Sequence, residues 1–135
     1  MLEAALAAGI ASAGTDVVLG GVLPTPAVAE LVAADPEFGA GVVISASHNP
    51  FPDNGIKLFG PDGFKLPDAA EAALEQRIDE AGGNRPTAGD IGEIRHWLDA
   101  AATYRDHMVA RTGARFDGVR VVIDCANGAL SLIHI

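Results

Sequence analysis

The sequence predicts an α/β sandwich, and three observations carry that prediction. Short apolar runs of strand length alternate with helix-patterned segments, Gly and Pro punctuate the boundaries, and 49% of the residues are hydrophobic without any run of membrane length. At 135 residues the chain is long enough for one domain with a real core.

Each element follows from local chemistry. Leu2, Ala5, Leu6, Gly9 and Ile10 recur at helical spacing, Gly14 closes that helix, and Val17 to Leu19 reads as a buried strand. Pro24 and Pro26 bracket a turn, with Pro26 placed in the first turn of a helix through about Val32. Gly41 to Ile44 is a second buried strand. Ile56 to Phe59 pairs with Phe64 to Leu66 across Gly60-Pro61-Asp62-Gly63, whose composition is that of a hairpin turn. Asp68 caps a helix rich in Ala, Glu and Leu that runs to about Ala81. Gly82 to Pro86 interrupts the order, and a helix follows from about Leu98 to Thr112, with a mixed face that includes Leu98, Ala101, Ala102, Tyr104, Arg105 and Met108. Val119 to Asp124 reads as a further buried strand. The opening helix has no N-cap residue and no preceding strand, and the closing strand has little chain left to cover it, so both ends read as cut.

Composition narrows the partners. A formal charge of -9 repels polyanions, which argues against nucleic acid or an anionic membrane surface. Glu3 stands where a signal peptide would carry basic residues. One cysteine, Cys125, leaves no internal disulfide and no Cys cluster for zinc, which suits a reducing cytoplasm. The acidic average is not uniform, because both lysines, Lys57 and Lys65, lie close after a Ser-His-Asn segment.

That segment is where chemistry concentrates. The strand Gly41-Val42-Val43-Ile44 stops at Ser45-Ala46-Ser47-His48-Asn49-Pro50 and continues through Asp53-Asn54-Gly55-Ile56-Lys57. A strand that ends in small residues and turns sharply offers hydroxyls and N–H groups outside the sheet edge, where α/β folds place ligands. An Asx or Ser turn without chemistry explains the tetrapeptide equally well. Among chemical readings, acyl transfer lacks a Gly-x-Ser-x-Gly elbow, and no P-loop glycine pattern is present. The remaining reading is a serine that itself carries a phosphoryl group, with Lys57 supplying positive charge.

Ile44 to Phe51, Asp53 to Lys57 and the turn Gly60 to Leu66 together resemble the phosphoserine loop of the α-D-phosphohexomutase superfamily. The Ser-Ala-Ser-His-Asn opening and the Asn-Gly-Ile-Lys continuation are most similar to its bacterial phosphoglucosamine mutase branch, ahead of the phosphoglucomutase/phosphomannomutase branch. Met1 to Leu6, Leu23 to Ala29 and Val122 to Ala129 extend the resemblance, which is weak between about Gly82 and Arg115. It implies a three-layer α/β/α sandwich with a mixed sheet, the first domain of a phosphohexomutase, over residues 1–114. Residues 115–129 would open a second domain, and residues 130–135 resemble the translated end of a transposase adaptor and are expected to be non-native.

The resemblance further implies interconversion of glucosamine 6-phosphate and glucosamine 1-phosphate through a bisphosphorylated sugar. Ser47 would be the phosphorylated nucleophile, Ser45 its structural neighbour, and Lys57 a contact to the transferring oxygens or a solvated strand lysine. His48 would orient the loop or move a proton, or be a structural histidine, while Asn49 and Asn54 would hold turns. The implied cofactor is Mg2+, held partly by the phosphoryl oxygen on Ser47. The three-aspartate loop that completes that site in the family is absent here. The expected partner is a phosphorylated hexosamine, and the rival from another class is a non-catalytic module that binds phosphorylated ligands. His96 and His107 lie outside the cluster and read as surface or helix-face residues.

Overall fold

A computed structural model describes residues 1–79, 86–126, 128 and 129. The element order is α1 (Leu2–Ser12), β1 (Val17–Leu19), α2 (Thr25–Ala34), β2 (Gly41–Ser45), β3 (Gly55–Phe59), α3 (Asp68–Asp79), β4 (Ile94–His96) and α4 (Ala100–Thr112), with 3-10 turns at Phe51–Asp53 and Ala88–Asp90. This is the alternation expected of an α/β chain. The strands form two pairs, β1 with β4 in parallel and β2 with β3 antiparallel, so both strand senses are present.

The first five elements form where local signals place them. Gly14, at φ +91°, donates to the Ala11 carbonyl at 2.9 Å and ends α1. Pro24 is the extended N-cap of α2, and Pro26 sits in its first turn, where a missing N–H costs nothing. The helix after Pro67 begins with Ala70 and Glu71 donating to the Pro67 carbonyl, so that carbonyl is where α3 starts.

The principal core lies between α2 and α4. Ala27, Leu31, Ala100 and Tyr104 are buried together, with Leu23 and Trp97 packed against them. An ion pair from Arg111 to Glu30, at 2.6 and 2.7 Å, ties the far end of α4 to α2, and Phe38 stacks on Trp97 with ring centroids 5.8 Å apart. β2 approaches α2 so closely that a Cβ on Gly41 would sit 2.8 Å from Val32 Cγ2. Glycine there is a packing requirement.

Several expectations are corrected. The turn at Gly60 to Gly63 forms, with Gly63 donating to Gly60, Gly60 to Phe64, and the Asp62 carboxylate accepting from the Phe64 N–H. Its second arm, however, is one bridge, Phe59 to Lys65, because β2 is the main partner of β3. Gly63 needs its hydrogen side chain twice over: φ is +76°, and a Cβ would meet the Ala29 carbonyl oxygen at 2.6 Å. β4 was not expected, since Ile94-Arg95-His96 carries no apolar run. It forms because Asp16 Oδ1 accepts the Glu93 N–H at 2.8 Å and Val17 donates to the Glu93 carbonyl at 2.8 Å, bringing the segment alongside β1.

The last helix begins at Ala100 rather than Leu98, which is 89% exposed. Its buried residues are Ala100 and Tyr104, one turn apart. In α1 the buried residues are Ala7 and Ala11, while Leu6 and Ile10 are half-buried and Leu2 is exposed. The largest correction falls on residues 119–124. They are extended but form no strand, and Val119, Val121, Val122 and Ile123 are 58–99% exposed, because no other element lies beside them. The expected end of α3 at Ala81, the break from Gly82 and the tail at 130–135 lie outside the described residues.

Candidate functional site

The cluster at the end of β2 is shaped by backbone bonds of the loop itself. Ser45 closes the ribbon opposite Gly55, so residues 46–54 form a loop whose two ends are held together. Asn49 donates to the Ala46 carbonyl at 3.0 Å, which makes Ser47 and His48 the two central residues of a turn. Ser47 has φ +57° and His48 does not have a positive φ, the sign pattern of a type II′ turn whose first central position favours glycine. A second turn follows, with Asp53 donating to the Pro50 carbonyl at 2.9 Å.

What holds a serine in a conformation that glycine favours is the other serine. Ser45 Oγ accepts the Ser47 N–H at 2.9 Å. A left-handed residue outside glycine costs on the order of 1–3 kcal/mol and persists where its surroundings fix it. The consequence is that the Ser47 side chain stands exposed at the turn, beyond the last strand pair. Its Oγ lies 3.3 Å from His48 Nδ1, so the ring and hydroxyl can share a proton despite being sequence neighbours.

The two lysines separate. Lys65 pairs with Glu71 of α3 at 3.1 Å, with 54% of its side chain exposed, and is thereby drawn toward the hairpin and α3. Lys57 belongs to no ion pair among the described residues and is half-buried. It stands opposite Val43, and alternation puts it on the same face of the ribbon as Ser45 and Gly55. Lys57 is therefore the cation placed at the base of the loop. Asn49 contributes its backbone to the turn, and Asn54 immediately precedes β3.

The structure brings Ser45, Ser47, His48 and Asn49 into one turn and sets Lys57 beneath it. It leaves His96 on β4 and His107 on α4, apart from the loop in the element order. Among the described residues no group of three or more His, Cys, Asp or Glu is arranged to hold a metal ion. No described helix is long and apolar enough to cross a membrane. The sequence reading missed the left-handed turn at Ser47. The signal that could have suggested it was Ser two residues before Ser, since a hydroxyl at that spacing can accept the later N–H.

Known proteins match this arrangement at two levels. Residues 1–85, which include every strand and loop residue of the site, match the family described as phosphoglucomutase/phosphomannomutase, alpha/beta/alpha domain I. Curated proteins named phosphoglucosamine mutase match along nearly the whole chain. The one from Saccharopolyspora erythraea is 55% identical over 133 residues, which is 98% of this chain and 30% of that protein. The one from Mycolicibacterium vanbaalenii is 53% identical, covering 98% of this chain and 29% of its own length. The one from Brevibacillus brevis is 52% identical, covering 97% and 30%. The chain thus spans less than a third of the length of the relatives it matches. With the serine turn at the end of β2 lying inside the matched region, the chain belongs to the phosphoglucomutase/phosphomannomutase family, of which residues 1–85 are α/β/α domain I.

Proposed function

We propose that this chain is part of a phosphoglucosamine mutase and that Ser47 carries the phosphoryl group in transit. The observation that supports this best is the Ser47 turn. A hydroxyl is presented at a sheet end by a backbone that favours glycine, with a proton-sharing imidazole 3.3 Å away. The printed names of relatives 52–55% identical supply the substrate pair, glucosamine 6-phosphate and glucosamine 1-phosphate. Residues 1–114 would be the first domain, residues 115–129 the opening of a second, and residues 130–135 a non-native tail.

In this reading a sugar hydroxyl attacks the phosphorus on Ser47, the P–O bond to Ser47 Oγ breaks, and the bisphosphorylated sugar forms. The leaving oxygen takes up a proton, which His48 Nδ1 is near enough to deliver. Reorientation of the sugar and the reverse transfer restore the phosphoserine with the product's phosphate moved. A phosphoserine holds roughly -1.5 to -2 charges near neutral pH, so an anionic sugar is repelled unless cations offset it. Lys57 is the cation this chain provides. Phosphoryl oxygens are hard donors suited to Mg2+, and the ion would offset further charge at Ser47. No acidic cluster among the described residues completes its coordination, so the remaining ligands would come from elsewhere in the longer protein.

The test compares glucosamine, glucose and mannose phosphates as substrates of the longer protein, with Ser47→Ala as control. Glucosamine phosphate should be preferred and Ser47→Ala should abolish turnover. Preference for glucose or mannose phosphate would favour the alternative that the family description names. Full activity in Ser47→Ala would leave a non-catalytic phospholigand module. The 135-residue chain alone should not isomerise any of the three, since positioning needs the remaining sites assembled around Ser47.

A further inference from the structure

Both strand pairs have one free edge, and the two free edges face the same cleft. In β1, Val17 donates to Glu93 and Leu19 accepts from Trp97 at 2.8 and 2.9 Å, so residues 17 and 19 bond β4. Alternation then turns the N–H and C=O of Val18 to the opposite side. In β3 the Leu58 carbonyl accepts from Leu66 at 3.0 Å, which points Leu58 away from β2 and makes Val42 and Leu58 a non-hydrogen-bonded pair. Val42 and Ile44 therefore direct their backbone groups away from β3. Val17 to Leu19 and Gly41 to Ile44 line one cleft of about 1330 Å3, whose walls include Leu6, Ile10, Val28 and Leu31.

That arrangement is costly as it stands. Two-stranded ribbons are marginal by themselves, and strand N–H and C=O groups beside apolar walls need partners. The cleft also accounts for Leu2, Leu6 and Ile10 of α1, which line it without being buried. The matched relatives devote only 29–30% of their length to the region this chain covers, so a longer polypeptide has ample chain to supply an occupant.

We propose that one further β-strand of the longer polypeptide, from outside residues 1–135, lies between β1 and β2. It would join the pairs into a single sheet ordered β4-β1-strand-β2-β3. Its chemistry is constrained: an interior strand reads as a nearly continuous apolar run of about 4–6 residues without proline. Residues 119–124 are an apolar competitor within the chain, and the test separates the two.

The measurement is amide hydrogen exchange at Val18, Val42 and Ile44, in the 135-residue chain and in the longer protein that contains it. Exchange should be fast in the former and at least about 100-fold slower in the latter, a change of the size strand pairing gives. Val121→Asp in the longer protein should leave that protection intact. Equal, fast exchange in both proteins would overturn the proposal. So would protection in the 135-residue chain that Val121→Asp removes, because its own residues 119–124, in the same or a second copy, would then fill the cleft. Protected edges in a longer protein that transfers no phosphoryl group would refute the enzymatic reading and uphold this one.

Discussion

Residues 41–45 and 119–124 are chemically close relatives: Gly-Val-Val-Ile-Ser and Val-Arg-Val-Val-Ile-Asp are both short, β-branched and polar at the end. Their fates differ. The first pairs with β3 along five residues and packs under α2, where Gly41 lets Val28 and Val32 come close and Val43 is 8% exposed. The second pairs with nothing among the described residues, and Val122 is 99% exposed. An apolar run is thus a capacity for strand formation, realised only where a neighbouring strand takes its hydrogen bonds and a helix covers its face.

The sharpest way to break that comparison is one substitution made in both places. Val43→Asp should destabilise the chain by about 3 kcal/mol or more, since a carboxylate would enter a buried site without a partner. Val122→Asp should change stability by less than about 0.5 kcal/mol, as exposed substitutions do. Urea denaturation of both variants checks this, and equal losses would mean that residues 119–124 are buried as the bare sequence suggests.

A smaller effect is expected at the loop that β2 supports. Ser45→Ala removes the acceptor of the Ser47 N–H and should cost about 0.5–1.5 kcal/mol, with faster exchange of that amide, while Ser45→Thr retains both. Unchanged exchange in Ser45→Ala would show that the ribbon alone sets the Ser47 turn. The smallest effect belongs to Lys65→Ala, which breaks an exposed pair with Glu71 and should cost roughly 0.2–1 kcal/mol, less at high salt. Thermal melts at two ionic strengths read it. A loss larger than that of Ser45→Ala would place the stiffness of this region in the α3 contact.

Most of the loop's importance was legible in the chain, because an apolar strand running into Ser-Ala-Ser-His-Asn-Pro announces itself by composition. Its geometry was not. Whether Ser47 adopts φ +57° depends on Ser45 Oγ being held opposite Gly55, a relation between residues on different strands. The division of labour between Lys57 and Lys65 was equally hidden, since it is Glu71 on α3 that draws one of them aside. β4 was missed for the same reason: its residues have no strand signature, and a side chain 77 positions away, Asp16, anchors the neighbouring Glu93.

The sequence by itself determined the order of helices and strands through residue 79 and the place where polar groups gather, because spacing, prolines and glycines act over a few residues. Tertiary structure decided which runs became strands, which face of α1 is buried, how Ser47 is presented and which lysine lies beneath it. Those outcomes rest on contacts between residues far apart in the chain, where packing and pairing outweigh local preference.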